Sequence, residues 1–246
     1  MYIRRNHQPL TGRFNADASL ELLMTAGIDG ALGESWADDN GAVVATGFFT
    51  YLIGKPTPGE ELDSILRQAC PCCIVPKSPE WLEYLKKHRL RSYVRYKMSP
   101  PEQADIIKLT SFIRSLPEGF SVHPIDSDML ESGVVTEQEL NISHVFGSRE
   151  SYLRDGFGFA VLGGSRAVSV VSSYIVYKGE AEVDIATAME YRRHGLASAV
   201  CARFMLECIS RNITPSWDAQ NMESVKLAEK LGFVFDHEYH AYVLEL

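Results

Sequence analysis

The sequence predicts an α/β chain of the α+β kind: a mixed central sheet flanked by helices in the C-terminal half, preceded by a smaller α/β region. Three observations predict it. Segments with helical apolar spacing alternate with short β-rich segments along the whole chain. The run "GFGFAVLGGSRAVSVVSSYIVYKGEAEVDIAT" reads as three strands joined by the tight turns "GGS" and "KGE". With 246 residues, 46% of them hydrophobic, the chain is long enough to fill a core in one large domain or two small ones.

In the first half, "DASLELLMTAGIDGAL" has helical spacing, "GAVVATGFFTYLIG" is β-rich, and "PGEELDSILRQA" opens with proline and acids, as a helix start favours. "CCIVP" is a short buried strand. "SPEWLEYLKKH" offers serine as a cap with proline at the first helical position, and "LRSYVRYKM" alternates like a strand. "PPEQADIIKLTSFIRSL" sets Ile106, Ile107, Leu109, Ile113 and Leu116 along one helical stripe, and the turn "PEG" ends it. The domain boundary is expected there, giving 1–117 and 118–246. No Ser/Gly-rich linker separates the parts.

In the second half, "FSVHPI" is a strand, 128–155 is mainly helical, and the three-strand meander follows. A polar loop, a helix over about 196–211, the strand "PSWDA", the helix "MESVKLAEKL" and two closing strands in "GFVFDHEYHAYVLEL" complete the order.

Composition narrows the function. A net charge of −8 argues against a broad nucleic-acid surface, so any anion site must be local. No apolar stretch follows the charged start "MYIRRNHQPL", and "AVVATGFFTYLIG" is too short to span a bilayer, so neither signal peptide nor membrane helix is expected. Cys70, Cys72, Cys73, Cys201 and Cys208 are an odd set that fits a reduced, cytoplasmic protein. "CPCC" lacks a second ligand pair at metal spacing and predicts no zinc, while Cys201 and Cys208 suit the core of a helix. His237 and His240 stand without a serine or cysteine nucleophile motif.

One local anion site is legible. In "EYRRHGLASAV", Arg192 and Arg193 precede Gly195 and an apolar helix. The first N–H groups of a helix lack internal partners, the helix dipole adds positive potential, glycine admits close approach, and arginine pairs with phosphate in forked geometry. The loop taken alone reads equally as an ordinary helix start with solvated arginines. There is no G-x-x-x-x-G-K-[ST] loop and no G-x-G-x-x-G after a first strand, which disfavours nucleotide triphosphatases and dinucleotide enzymes.

The spacing R-x-x-G-x-A at Arg192, Gly195 and Ala197, after a strand and before an apolar helix, resembles the acetyl-CoA loop of the GNAT (general N-acetyltransferase) superfamily. "SWDAQNMESVKLAEKLGF" resembles the end of the same fold, and the likeness covers about 117–246. Within the superfamily the chain is most similar to the two-part members that include the zwittermicin A resistance acetyltransferase. The resemblance implies that backbone groups of Ile185, Ala186 and Thr187 hold the pantetheine arm. It also implies that Arg192, Arg193, His194, Gly195, Leu196, Ala197 and Ser198 cradle the diphosphate, and that Asn221 and Ser224 stand beside acetyl-CoA. Helix capping by Asn221 is compatible with that role.

Acetyl transfer requires a neutral amine, so a general base helps. Glu182 and Asp184 share one strand face, and Glu182 is the first expectation and Asp184 the second; both also read as solvated strand positions. Asp218 either lines the acceptor pocket or caps the next turn. Many relatives carry a tyrosine where this chain has Ala228, so the usual acid for the leaving thiolate is missing. Water, Ser224 or Tyr239 would have to serve instead. The expected function is therefore acetyl transfer from acetyl-CoA to a primary amine of a small molecule, by direct attack in a ternary complex. A catalytically silent acyl-CoA-binding or regulatory module is the alternative. "CCIVPKSPEWLEYLKKHRLRSYVRYKM" parallels "PSWDAQNMESVKLAEKLGFVFDHEYHAYV", which makes the first half a degenerate GNAT-like copy. It lacks R-x-x-G-x-A and is expected to hold no cofactor, covering one side of the acceptor cleft or forming the subunit contact of a homodimer.

Overall fold

The computed structural model describes residues 1–6, 9–10, 21–69 and 72–244. The chain forms two units, Met1–Arg95 with Glu238–Leu246, and Tyr96–His237. In the first, β1 (Ile3–Asn6), α1 (Leu22–Ile28), β2 (Glu34–Ala37), β3 (Gly41–Thr46) and β4 (Phe49–Gly54) are followed by α2 (Glu60–Gln68), β5 (Ile74–Pro76), α3 (Pro79–Lys87) and the start of β6 (Arg91–Ser99). The strands β1 to β4 pair antiparallel in sequence, and β4 pairs parallel with β5. The run expected as one β-rich segment folds into the β3–β4 hairpin at Gly47, whose φ of 76° needs glycine. Ser78 accepts a hydrogen bond from the Trp81 N–H with Pro79 at the first helical position, as the sequence of α3 predicts. Leu52, Leu62, Trp81 and Leu85 lie at the centre of this core. The strands β1 and β2 were not legible: each has four residues, and the stretch around Arg4 and Arg5 carries no alternation.

The second unit continues with α4 (Ile106–Arg114), β7 (Phe120–Pro124), α5 (Ser127–Glu131), α6 (Ile142–Val145), α7 (Arg149–Asp155), β8 (Gly158–Gly163), β9 (Arg166–Tyr177) and β10 (Glu180–Thr187). After these come α8 (Leu196–Arg211), β11 (Thr214–Ala219), α9 (Met222–Leu231) and β12 (Val234–Val243). The strands β7 to β10 pair antiparallel, and β10 pairs parallel with β11. One sheet face packs on α4, α8 and α9, where Phe204 of α8 stacks on Phe157 at 4.7 Å. Residues of α5 to α7 pack with Ala160 and Val170 from the opposite face.

Two expectations change. The closing segment is one strand, β12, because neither glycine nor proline interrupts 234–243. In α4 only Leu109 is buried outright; Ile106 and Ile107 are 55% and 84% exposed, because they open the helix before its buried face begins.

The same order of strand, helical connection, three-strand meander, helix, strand, helix, strand runs twice through the chain. In each unit the meander is followed by a parallel pair joined through a helix, the crossover that parallel neighbours require. The closing strands are exchanged: Tyr242 of β12 pairs with Ile74 of β5, whereas Tyr96, Lys97 and Met98 of β6 pair with β11.

Candidate active site

The site is built on the parallel pair of the second unit. Strands β10 and β11 are in register at Glu180↔Thr214, Ala181↔Pro215 and Glu182↔Ser216, and the pairing stops there while β10 runs on to Thr187. On its other edge β10 stays paired with β9 to its end, with a register shift between Glu182 and Val183. The two strands therefore splay beyond Glu182. That residue is buried at the vertex, where Oε1 accepts the Asp218 N–H at 3.1 Å in place of a ladder partner.

Alternation sorts the side chains. Val183 and Ile185 pack into the core beneath α8, so Glu182 and Asp184 face the other side, as expected from the strand period. Asp184 lines a cavity of about 220 Å³ with Glu139, Ser172, Ala186, Thr187 and Ala188. Burial raises the pKa of Asp184 above the ordinary carboxylate value, against hydrogen bonds from the Asn141 side chain and the Ile185 N–H that lower it. The Asn141 Nδ2 donates to Asp184 Oδ2 at 3.1 Å.

Beyond the splay, Ala186 is exposed and the Thr187 hydroxyl meets that of Ser169 at 2.7 Å. A single 3-10 turn, Met189–Tyr191, then carries the chain to α8, with Tyr191 edge-on to Phe120. Arg192 folds back so that its Nε donates to the Thr187 carbonyl at 3.2 Å. Arg193 and Gly195 both have positive φ, 68° and 80°, so the loop enters the left-handed region twice before the helix begins. The first helical bond runs from the Ala199 N–H to the Gly195 carbonyl, so the N–H groups of Leu196, Ala197 and Ser198 have no partner within the helix.

This helix start fits a diphosphate. A Cβ built at Gly195 meets nothing within 4 Å, the first turn holds no acidic residue, and Arg192, Arg193 and His194 are exposed around it. Leu196 and Ser198 are both buried, which anchors the turn. Asn221 caps α9 by accepting the Ser224 N–H at 3.0 Å, and the Ser224 hydroxyl accepts the Trp217 Nε1–H at 3.0 Å. Ala228 is fully buried in the core beneath α9, so no phenol could stand at that position without repacking. Tyr239 belongs to the first unit, where the Lys77 ammonium lies 5.9 Å from its ring centre. Asp218 faces β6 opposite Lys97, and the Lys97 ammonium donates to Ser216 at 2.9 Å.

At the corresponding end of β4 in the first unit, side chains engage the backbone. Beyond the β4–β5 pairing, the Ile53 and Gly54 carbonyls accept hydrogen bonds from Trp81 Nε1 at 3.0 Å and from the Ser78 hydroxyl at 2.5 Å. The helix that follows β4 opens with Glu60, Glu61 and Asp63 in its first turn, which repel an anion.

Asn141, Glu139, Ser172 and Lys97 were missed by sequence reasoning. Asn141 lies 43 residues from Asp184, and Lys97 lies 119 from Ser216; no local pattern reports contacts of that range.

Splayed parallel strands thus feed an open, acid-free helix start. The profile of the GNAT acetyltransferase family matches residues 16–242, and the chain belongs to that family. A GCN5-related N-acetyltransferase-like protein of Streptococcus suis 89/1591 has a crystal structure that superposes with a TM-score of 0.83 at 30% identity, over 93% of this chain and 94% of that one. The protein of Bacillus subtilis (strain 168) called uncharacterized N-acetyltransferase YdfB is 38% identical over 129 residues, 52% of this chain and 49% of its own, so the match spans about half the length of that relative. A tandem GNAT protein from the clavulanic acid biosynthesis pathway shares the fold at a TM-score of 0.52 and 11% identity, over 85% of this chain and 81% of that one. Among the described residues, no helix is long and apolar enough to cross a membrane.

Proposed function

We propose that this chain moves an acetyl group from acetyl-CoA to a primary amine of a small molecule, the amine attacking the thioester directly in a ternary complex. One observation carries the proposal: the splay beyond Glu182 leads along a single strand to the open N-terminus of α8, with Asp184 facing a cavity beside that path. Acetyl-CoA, when bound, supplies the activated acyl group. Backbone groups of Ile185, Ala186 and Thr187 would hold its pantetheine arm, and residues 192–198 its diphosphate, with Asn221 and Ser224 alongside.

An ammonium has no lone pair, so the acceptor must lose a proton as the C–N bond forms and the C–S bond breaks. Asp184 stands first as the group that takes it and Glu182 second. The Asp184 carboxyl lines the cavity, and its raised pKa makes it a stronger base than an exposed aspartate, whereas Glu182 is engaged by the Asp218 N–H. The leaving thiolate, of ordinary thiol basicity, is protonated by water. The buried Ala228 supports one rival, a domain that binds acyl-CoA without transferring the acyl group.

Thioester consumption over a panel of an alkyl monoamine, a diamine, an amino sugar and an amino acid tests this. Turnover is expected with at least one of them. In Asp184→Asn it should fall by about 10²–10⁴-fold near neutral pH and recover where the amine is neutral unaided, with acetyl-CoA affinity unchanged. Tight acetyl-CoA binding with neither transfer nor hydrolysis would establish the silent module instead.

A further inference from the structure

We propose that Asn141 is a positioning residue for this reaction: its side-chain amide, presented by a left-handed turn on the helical arm, holds the Asp184 carboxylate in the cavity in the orientation that receives the amine proton. The inference rests on the assignment of Asp184 as the base.

The geometry is specific at both ends. Asn141 has φ 52° and ψ 27°, a conformation that costs most residue types but that asparagine tolerates. It is pinned on either side by Leu140 and Ile142, both buried in the cluster that α5 to α7 form against the sheet. With the flanking residues fixed in the core, the left-handed turn directs Nδ2 to Asp184 Oδ2, 3.1 Å away across 43 residues of sequence. An amide donates without titrating, so it fixes the carboxylate at every pH at which the enzyme works.

The surroundings leave this amide as the main polar partner of the Asp184 side chain. Among the described residues, Glu139 is the other charged group lining the cavity, and its Oε2 accepts from the Thr136 N–H and hydroxyl at 2.7 and 2.8 Å. Ser172, opposite Asp184 on β9, shares a hydrogen bond with the Tyr152 hydroxyl at 3.1 Å. Glu182, two residues along the same face, is held by the Asp218 N–H. No cation faces Asp184 among the described residues, and the raised pKa of the carboxyl agrees with that.

The test uses the intact chain labelled with ¹³C at aspartate carboxyls, the Asp184 signal being assigned by its loss in Asp184→Asn. Asn141→Gly keeps the left-handed turn and removes the amide; Asn141→Asp keeps the shape and replaces the donor with an acceptor, and serves if the glycine variant fails to fold. Loss of the hydrogen bond should move the Asp184 titration midpoint up by about one to two pH units, and further in Asn141→Asp. The acid limb of acetyl-CoA turnover with butylamine should move by the same amount. An unmoved midpoint overturns the role of Asn141 and leaves Asp184 as the base. A moved midpoint with an unmoved acid limb overturns Asp184 as the base, and the positioning role with it. A uniform loss of turnover at every pH, with both midpoint and limb in place, also overturns the inference, since that is what a merely structural asparagine would give.

Discussion

Replacing Gly195 with valine separates binding from folding at the start of α8. At φ 80° a side chain is strained, but a Cβ there meets nothing within 4 Å, so the folded chain bears a backbone cost and no clash. That cost is about 1–2 kcal/mol. For a chain of this size it lowers Tm by roughly 2–8 °C, short of unfolding. The new methyl groups project into the open space beside the helix start, on which a diphosphate held by 192–198 would depend. Losing two hydrogen bonds to a charged group costs about 3–6 kcal/mol, which weakens binding roughly 10²–10⁴-fold. Calorimetry with acetyl-CoA, alongside thermal unfolding, measures both quantities, with Gly195→Ala as an intermediate case. Turnover of S-acetylpantetheine, which has no diphosphate, should survive in the valine variant. An unchanged Kd for acetyl-CoA in a folded Gly195→Val protein would refute the reasoning and return the loop to an ordinary helix start.

Two other outcomes follow from the same geometry. Because the folded chain raises the pKa of Asp184, it holds the proton more tightly than the unfolded chain, and ionising the carboxyl costs stability as pH rises through the folded value. Asp184→Asn should therefore gain Tm relative to the parent at neutral pH, the difference shrinking as pH falls toward the unfolded value of about 3.9; a difference independent of pH would contradict it. The hydrogen bonds from Trp81 and Ser78 in the first unit, with the acidic first turn of α2, predict one acetyl-CoA per chain in a calorimetric titration. A second site of comparable affinity would overturn that account of the first unit.

What the sequence determined by itself is whatever short-range chemistry specifies. The meander β8–β10 carries its turns "GGS" and "KGE" at the strand ends, α8 runs over Leu196–Arg211 as its apolar spacing requires, and Ser78 and Asn221 cap the helices they precede. The alternation of β10 was enough to put Glu182 and Asp184 on one face, and Gly195 with its arginines marked the helix start before any fold was in view. Tertiary structure decided which carboxylate lines a cavity and which is tied to a neighbouring strand, since that depends on where β10 and β11 part company. It also decided that Asn141 meets Asp184 and that β6 and β12 exchange places in closing the two units. The reason is the range of the interactions. Caps, turns and periodicity are settled within a few residues by backbone sterics and hydrogen bonding, whereas strand partners and buried polar pairs are chosen by the packing of segments that sequence order keeps far apart.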